Sequence, residues 1–291
     1  MPAKKDAGFA LILVVWLLVL IAAIGTYLVA NGRTETAIAF NVRAAASAEA
    51  LADAGVARIV FNQTDPKLAN RWRLDGSPYR VTMPAGEIIV RLQDETRKIN
   101  PNLASEGLLA ALFEVRGLDR GSARRLGAAI ADWVGPEGPP REGGAKLEQY
   151  RAAGRNYGPA NAALESLDEL QLVLGMTPAV LASVRPYLTI HTASAAPGGR
   201  NLALPVQRAI ALANRAVPQQ DEAADAAPKP AAKSQEAAEE QVIAAEITAR
   251  GRDGGIFVRY AVLKLEPQNP KPYTVLDWQR GILDDRGKVS D

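Results

Sequence analysis

An uninterrupted stretch of 22 uncharged residues, Phe9 to Ala30, constrains this chain more than any other feature. A run of that length can cross a bilayer as a helix, which needs about 20 residues. Lys4 and Lys5 lie just before it. They favour a cytoplasmic N-terminus with the bulk of the chain on the far side. The helical pattern continues beyond the run. No proline occurs from Asn31 to Asn62, and Ile38, Val42, Ala45, Ala52, Val56 and Ile59 recur along one helical face. Asp65-Pro66 stops it. The sequence thus predicts one helix from Phe9 to Asn62, about 80 Å long at 1.5 Å per residue, with less than half of it in lipid. The outer half must bury a face, and a small sheet is the obvious partner.

Strand patterns follow at Tyr79–Met83 and Glu87–Gln93, joined through Pro84-Ala-Gly86. The character then changes to helices, expected over Ala104–Val115, Arg120–Trp133, Leu147–Gly154, Ser166–Leu174, Pro178–Arg185 and Asn201–Ala216. From Pro218 to Glu240 almost every residue is Ala, Pro, Gln, Lys, Asp or Glu. Such a stretch buries too little to order itself. Strands return at Val242–Arg250, Ile256–Leu265 and Tyr273–Trp278, the first two joined across Arg252-Asp-Gly-Gly255. The expected class is α+β: a long N-terminal helix packed on a small antiparallel sheet, with an all-helical domain inserted between its strands. The expected segments are 1–8 (leader), 9–30 (transmembrane helix), 31–98 (helix and first strands), 99–216 (inserted domain), 217–241 (disordered loop) and 242–291 (closing strands).

Composition narrows the chemistry. The 34 Lys and Arg against 32 Asp and Glu give a net charge of +2, too near neutral to imply a polyanionic partner. With no cysteine there is neither a disulfide nor a thiolate metal site, and His191 is the only histidine. Glu165, Asp168 and Glu169 are spaced as an exposed helical face, and no nucleophile has a base beside it. No enzyme activity is expected.

The leader carries the first resemblance. Basic residues ending in Gly8, then Phe9 and an apolar helix, resemble the class III signal of type IV prepilins and pseudopilins. This implies that a prepilin peptidase cuts between Gly8 and Phe9 and that Phe9 is N-methylated. Subunits that polymerise in bulk usually have Glu at the fifth mature position, where this chain has Leu13. A carboxylate in hydrocarbon is costly without a partner. A subunit with no neighbour above it gains by being apolar, so Leu13 suits the end of a filament.

Further motifs extend the likeness: Asp94-Glu-Thr-Arg-Lys-Ile-Asn-Pro-Asn102, Ala129-Ile-Ala-Asp-Trp133, Tyr157-Gly-Pro-Ala-Asn161, Ser166-Leu-Asp-Glu-Leu170, Leu174-Gly-Met-Thr177 and Pro186-Tyr-Leu-Thr-Ile190. With them the chain resembles the K-type minor pseudopilins of the type II secretion system. The resemblance implies a pilin-like fold with a helical insertion and a single-pass inner-membrane protein with most of its chain periplasmic. It also implies a place at the pseudopilus tip with minor pseudopilins I and J and the other pseudopilus subunits, for protein export across the outer membrane. Phe9–Ala30 would hold the chain in the membrane before assembly. The Ile38–Ile59 face would pack on its own sheet and on neighbouring subunits.

Some pseudopilins of this type bind calcium near the Asp-Trp motif through further acids. Here Gly135 and Lys146 stand where acids are expected, which removes ligands and adds a repelling charge. Asp132, Glu137 and Glu148 leave at most a weak site, so no cofactor is expected. Two rival readings share features with this one. Gly117-Leu-Asp119 and Gly175-Met-Thr177 each lie between helices, as in a membrane-anchored helix-hairpin-helix DNA-binding protein. Asp119 there would repel phosphate, and no nucleic-acid partner is expected. A type IV minor pilin shares the leader and helix, but the insertion argues against it.

Overall fold

The computed structural model describes residues 7–199, 201–216 and 241–281. Helix α1 (Ala7–Thr64) runs for 58 residues. It ends where Asp65 turns the chain: its amide closes on the Phe61 carbonyl at 3.0 Å, and its carboxylate accepts from the Lys67 amide at 2.9 Å.

Five strands form one antiparallel sheet in chain order: β1 (Tyr79–Met83), β2 (Gly86–Asp94), β3 (Gln241–Gly251), β4 (Ile256–Leu265) and β5 (Tyr273–Arg280). Side chains alternate between the faces of each strand. Ile88, Val90 and Leu92 of β2, Ile243, Ala245, Ile247 and Ala249 of β3, and Phe257, Ala261 and Leu263 of β4 form one apolar face. Ala48, Leu51, Ala52, Val56, Ile59 and Val60 of α1 lie against it. The β3–β4 turn comes so close to the helix that a Cβ on Gly255 would stand 2.1 Å from the Ala44 carbonyl oxygen. Sheet cover begins at that point.

Strands β2 and β3 pair directly, Asp94 opposite Ile243, although residues 95–240 separate them in sequence. Within that interval lie α2 (Glu106–Val115), α3 (Arg120–Val134), α4 (Leu147–Ala152), α5 (Pro178–Val184) and α6 (Leu204–Ala216), with a separate core around Phe113, Ile130, Tyr150 and Leu170. Helices α2 and α3 touch backbone to backbone, because a Cβ on Gly127 would meet the Glu106 carbonyl oxygen at 2.8 Å.

Several helices are shorter than their sequence patterns. Ser105 accepts from the Leu108 amide, so α2 begins at Glu106 rather than Ala104. Gly154, at φ +73°, lies beyond the end of α4. Residues Leu167–Leu172 form a 3-10 turn instead of an α-helix through Leu174; Ser166 caps it and Val173 is extended. The stretch expected from Asn201 becomes helical only at Leu204.

No helix among the described residues is long and apolar enough to cross a membrane. The side chains of Ala10 and of residues 28–34 lie outside the description, which leaves residues 11–27 as the apolar stretch. Residues 1–6 of the expected leader and 217–240 of the expected loop also lie outside the described residues.

Candidate functional site

The outer surface of α1 exposes a long series of large apolar side chains. Phe9, Leu13, Trp16 and Tyr27 are 71%, 54%, 70% and 67% exposed. The expected assembly face divides in two. Ala52, Val56 and Ile59 are buried on the sheet, whereas Ile38, Val42 and Ala45 are exposed. Phe40 adds to the exposed part. The cause is the reach of the sheet, which covers the helix only from about Ala44. Ala48, Leu51 and Val60 complete the buried stripe and were missed from sequence, because alanine-rich periodicity fits several faces equally well. Gly8 is helical in backbone.

Two of the runs singled out in sequence, Asp94–Asn102 and Pro186–Ile190, meet at the neck of the insertion. Asp94 caps the turn after β2, accepting from the Thr96 amide at 3.1 Å and its hydroxyl at 2.6 Å. Buried Glu95 pairs with Lys98 at 2.6 Å. The Ile99 amide donates to the Tyr187 carbonyl at 2.8 Å, and the Thr189 amide returns to the Ile99 carbonyl at 3.0 Å. Asn100 donates its side-chain amide to the Thr192 carbonyl at 2.7 Å. Asn102 both donates to the Leu164 carbonyl at 3.1 Å and accepts from the Leu164 amide at 2.7 Å. The Asp94–Asn102 and Pro186–Ile190 runs are therefore a clasp, with side-chain amides supplying the hydrogen bonds that buried backbone requires.

Glu165, Asp168 and Glu169, spaced in sequence as an exposed helical face, lie instead at the start of the 3-10 turn. Asp168 pairs with Arg185. The hydrogen bond from Arg185 holds its carboxyl below the usual carboxylate range, reinforced by the guanidinium charge. A lowered folded pKa stabilises the native state above the ordinary carboxylate pKa, and this is lost as pH falls through the lowered value. Urea titrations should show a small deficit for Asp168→Asn at neutral pH, which disappears in acid. The deficit is small because the pair is exposed.

The candidate metal residues do not converge. Asp132 is buried, and its carboxylate accepts from the Arg141 amide at 3.0 Å and lies 3.5 Å from the Arg141 guanidinium. Glu137 and Glu148 point to solvent. Among the described residues no three His, Cys, Asp or Glu side chains come together as a metal site. The oxygens that do converge belong mainly to the backbone. The Lys146 ammonium donates to the carbonyls of Asp132 (2.7 Å), Pro136 (2.9 Å) and Gly135 (3.4 Å), and to Asn161 Oδ1 (2.6 Å). Asn161 is one of two described non-glycine residues with positive φ, at 51°. The residues present do not fit calcium. A hard divalent ion takes six to eight oxygens, whereas this cage has four and already surrounds a positive charge.

Neither hairpin forms a phosphate cradle. Asp119 is the N-cap of α3 and accepts from the Ser122 amide at 3.0 Å. That hydrogen bond holds its carboxyl below the usual range and keeps it charged. Thr177 likewise caps α5, accepting from the Val180 amide. Arg120, Arg124 and Arg125 line a cleft of about 520 Å³ together with Glu106, Glu114 and Glu142, so acids offset the bases there. Arg116 is bound to the Ser183 carbonyl and lies over the Tyr187 ring.

Comparisons with known proteins agree with this architecture. Residues 89–193 match the family described as "Type II secretion system (T2SS), protein K". A curated relative from Klebsiella pneumoniae, "Type II secretion system protein K", is 29% identical over 207 residues, which is 63% of this chain and 62% of the relative. The matched stretch thus spans less than two thirds of that relative's length. Among solved structures, the GspK-GspI-GspJ complex from the type 2 secretion system of enterotoxigenic Escherichia coli contains a chain that superposes with a TM-score of 0.57 at 17% identity. The superposition covers 87% of this chain and 99% of that one. A likeness of this kind bears on the fold: a long helix on a five-stranded sheet with a helical insertion.

Proposed function

We propose that this chain is a minor pseudopilin of the type II secretion system, a non-enzymatic assembly subunit at the tip of the pseudopilus. The observation that carries the reading is the division of α1. Its outer half lies on a sheet that bears a protein K type insertion, and its inner part exposes apolar side chains over residues 11–27 and at Ile38, Phe40 and Val42. Such a helix has two uses. The sequence run Phe9–Ala30 holds the chain in the inner membrane before assembly, with the ectodomain in the periplasm. The same run then packs among neighbouring helices in the filament.

The partners on this reading are I- and J-type minor pseudopilins, as in the complex to which the fold is similar. Prepilin peptidase releases Phe9 as the mature, N-methylated terminus. Leu13 removes the need for a neighbour's amine to neutralise a buried carboxylate, which suits the uppermost subunit. The test is co-expression of the full chain with I- and J-type subunits, membrane extraction and affinity purification. A stoichiometric complex is expected, together with a mass that places the N-terminus at Phe9. A chain that purifies alone would overturn the tip assignment. A mature chain that still begins at Met1 or Pro2 would overturn the processing.

A further inference from the structure

The four oxygens around Lys146 are arranged as a cation site. Two segments supply them: the end of α3 with the following loop (Asp132, Gly135, Pro136), and Asn161, 15 residues beyond the lysine. The distances of 2.6–2.9 Å to three of the four are those of charge-assisted N–H···O bonds. An ammonium has three hydrogens, so three short contacts and one longer one at 3.4 Å satisfy it. The nearest buried carboxylate, Asp132, is directed elsewhere, to Arg141. It lies so close to the loop that a Cβ on Gly144 would stand 2.1 Å from its Oδ2. The backbone of Lys146 is fixed as well: its amide donates to Gln149 Oε1 at 2.9 Å, which sets the start of α4.

We infer that Lys146 is a tethered cation, whose ammonium does within the inserted domain what a bound metal ion would otherwise do. It gathers the carbonyls of the α3–α4 loop and pins them to Asn161. The domain holds this loop without a divalent ion, and its shape is insensitive to the calcium level around it. The inference is independent of the assembly role, since it concerns only how one loop is held.

It also has a converse. If the cage is a true cation site, exchanging the tethered charge for a carboxylate should turn it into a site that needs an ion. The test uses the full chain in detergent micelles, with amide hydrogen exchange followed across residues 132–146 and 155–161 in EDTA or in millimolar calcium. Wild type should exchange identically in both. Lys146→Met, which keeps the stem and loses the charge, should exchange about tenfold faster across these segments in both conditions, because it forfeits several charge-assisted bonds. Lys146→Glu should exchange rapidly in EDTA and regain protection in calcium.

Protection in wild type that depends on calcium would overturn the inference, as would Lys146→Met exchanging like wild type. Failure of calcium to protect Lys146→Glu would overturn the assignment of the cage as a general cation site. Protection at the Ile99–Leu188 clasp, which lies outside the cage, serves as the internal control for folding of all three proteins.

Discussion

Tyr150→Ala is expected to lower the stability of the inserted domain by about 3–5 kcal/mol, the range for deleting a large buried aromatic side chain. Tyr150 is fully buried, with its ring centroid 5.9 Å from that of Trp133 and 5.7 Å from that of Tyr157. Its hydroxyl accepts from the Leu174 amide at 3.0 Å, so one side chain ties α4 to the turn before α5. Alanine there would leave a cavity and deprive the part-buried Leu174 amide of its acceptor. Tyr150→Phe keeps the ring and loses only the acceptor, which should cost about 0.5–1.5 kcal/mol. Burial pushes the Tyr150 hydroxyl up to about 12. A raised folded pKa contributes stability that is complete below the ordinary tyrosine pKa of about 10 and is lost as pH rises through the folded value. Urea unfolding followed by circular dichroism should therefore rank wild type above Tyr150→Phe above Tyr150→Ala at neutral pH. The gap between wild type and Tyr150→Phe should narrow above about pH 10. Equal midpoints for the three proteins would show that Tyr150 does not hold the core of the insertion together.

Much of this architecture is legible in the sequence, because its signals are local or strongly periodic. The proline-free stretch to Asn62 reads as helix since every residue in it permits one. The apolar runs at Val242–Arg250 and Ile256–Leu265 read as strands, and the structure buries both faces of these central strands. The apolar run after Gly8 and the helical block between strand patterns suffice to suggest the pilin-like plan. What escapes is long-range or carried by the backbone. Ile38 and Val42 look equivalent to Val56 and Ile59 in periodicity, yet only the second pair meets a sheet, because the β3–β4 turn reaches no further than Ala44. Ser166–Leu174 has helical composition, but Ser166 and Glu169 close a tight capping box, and the turn stays 3-10.

The cation cage shows the same limit more sharply. By residue type, Lys146 counts as a lost ligand and a repelling charge. In three dimensions it is the charge that the surrounding oxygens hold. Three of those four oxygens are main-chain carbonyls, and a carbonyl carries no signature in the one-letter code. Asp132 misleads in the opposite direction. It reads as a metal ligand through its carboxylate, but it is the Asp132 carbonyl that contacts the cation.

The contact that fixes α1 to the sheet should fail unequally from its two ends. Arg259 of β4 has a side chain only 6% exposed, with Nε 2.9 Å from Asp53 and Nη2 2.8 Å from Glu49, both on α1. Its guanidinium also lies 4.6 Å from the Trp278 ring centroid and 4.8 Å from that of Phe257. The carboxylates are 49% and 41% exposed, so water can replace the arginine around them if it is removed. The arginine has no such recourse. Removing one partner of a buried pair costs about 3–5 kcal/mol, chiefly because the charge left behind stays buried. The double variant Glu49→Ala, Asp53→Ala, which leaves the guanidinium without either acceptor, should therefore approach that range. Arg259→Met strands only half-exposed acids and keeps the packing of the stem on the rings, so it should lose less. Arg259→Lys should fall below wild type despite its charge, since an ammonium cannot span two carboxylates and stack on two rings at once. Urea midpoints would give the order, and amide exchange along residues 44–64 would show whether α1 loosens from the sheet in the same order. If Arg259→Met proved the more damaging change, the arginine would be acting through packing alone. The two ion pairs would then contribute little to holding the helix that the proposed assembly depends on.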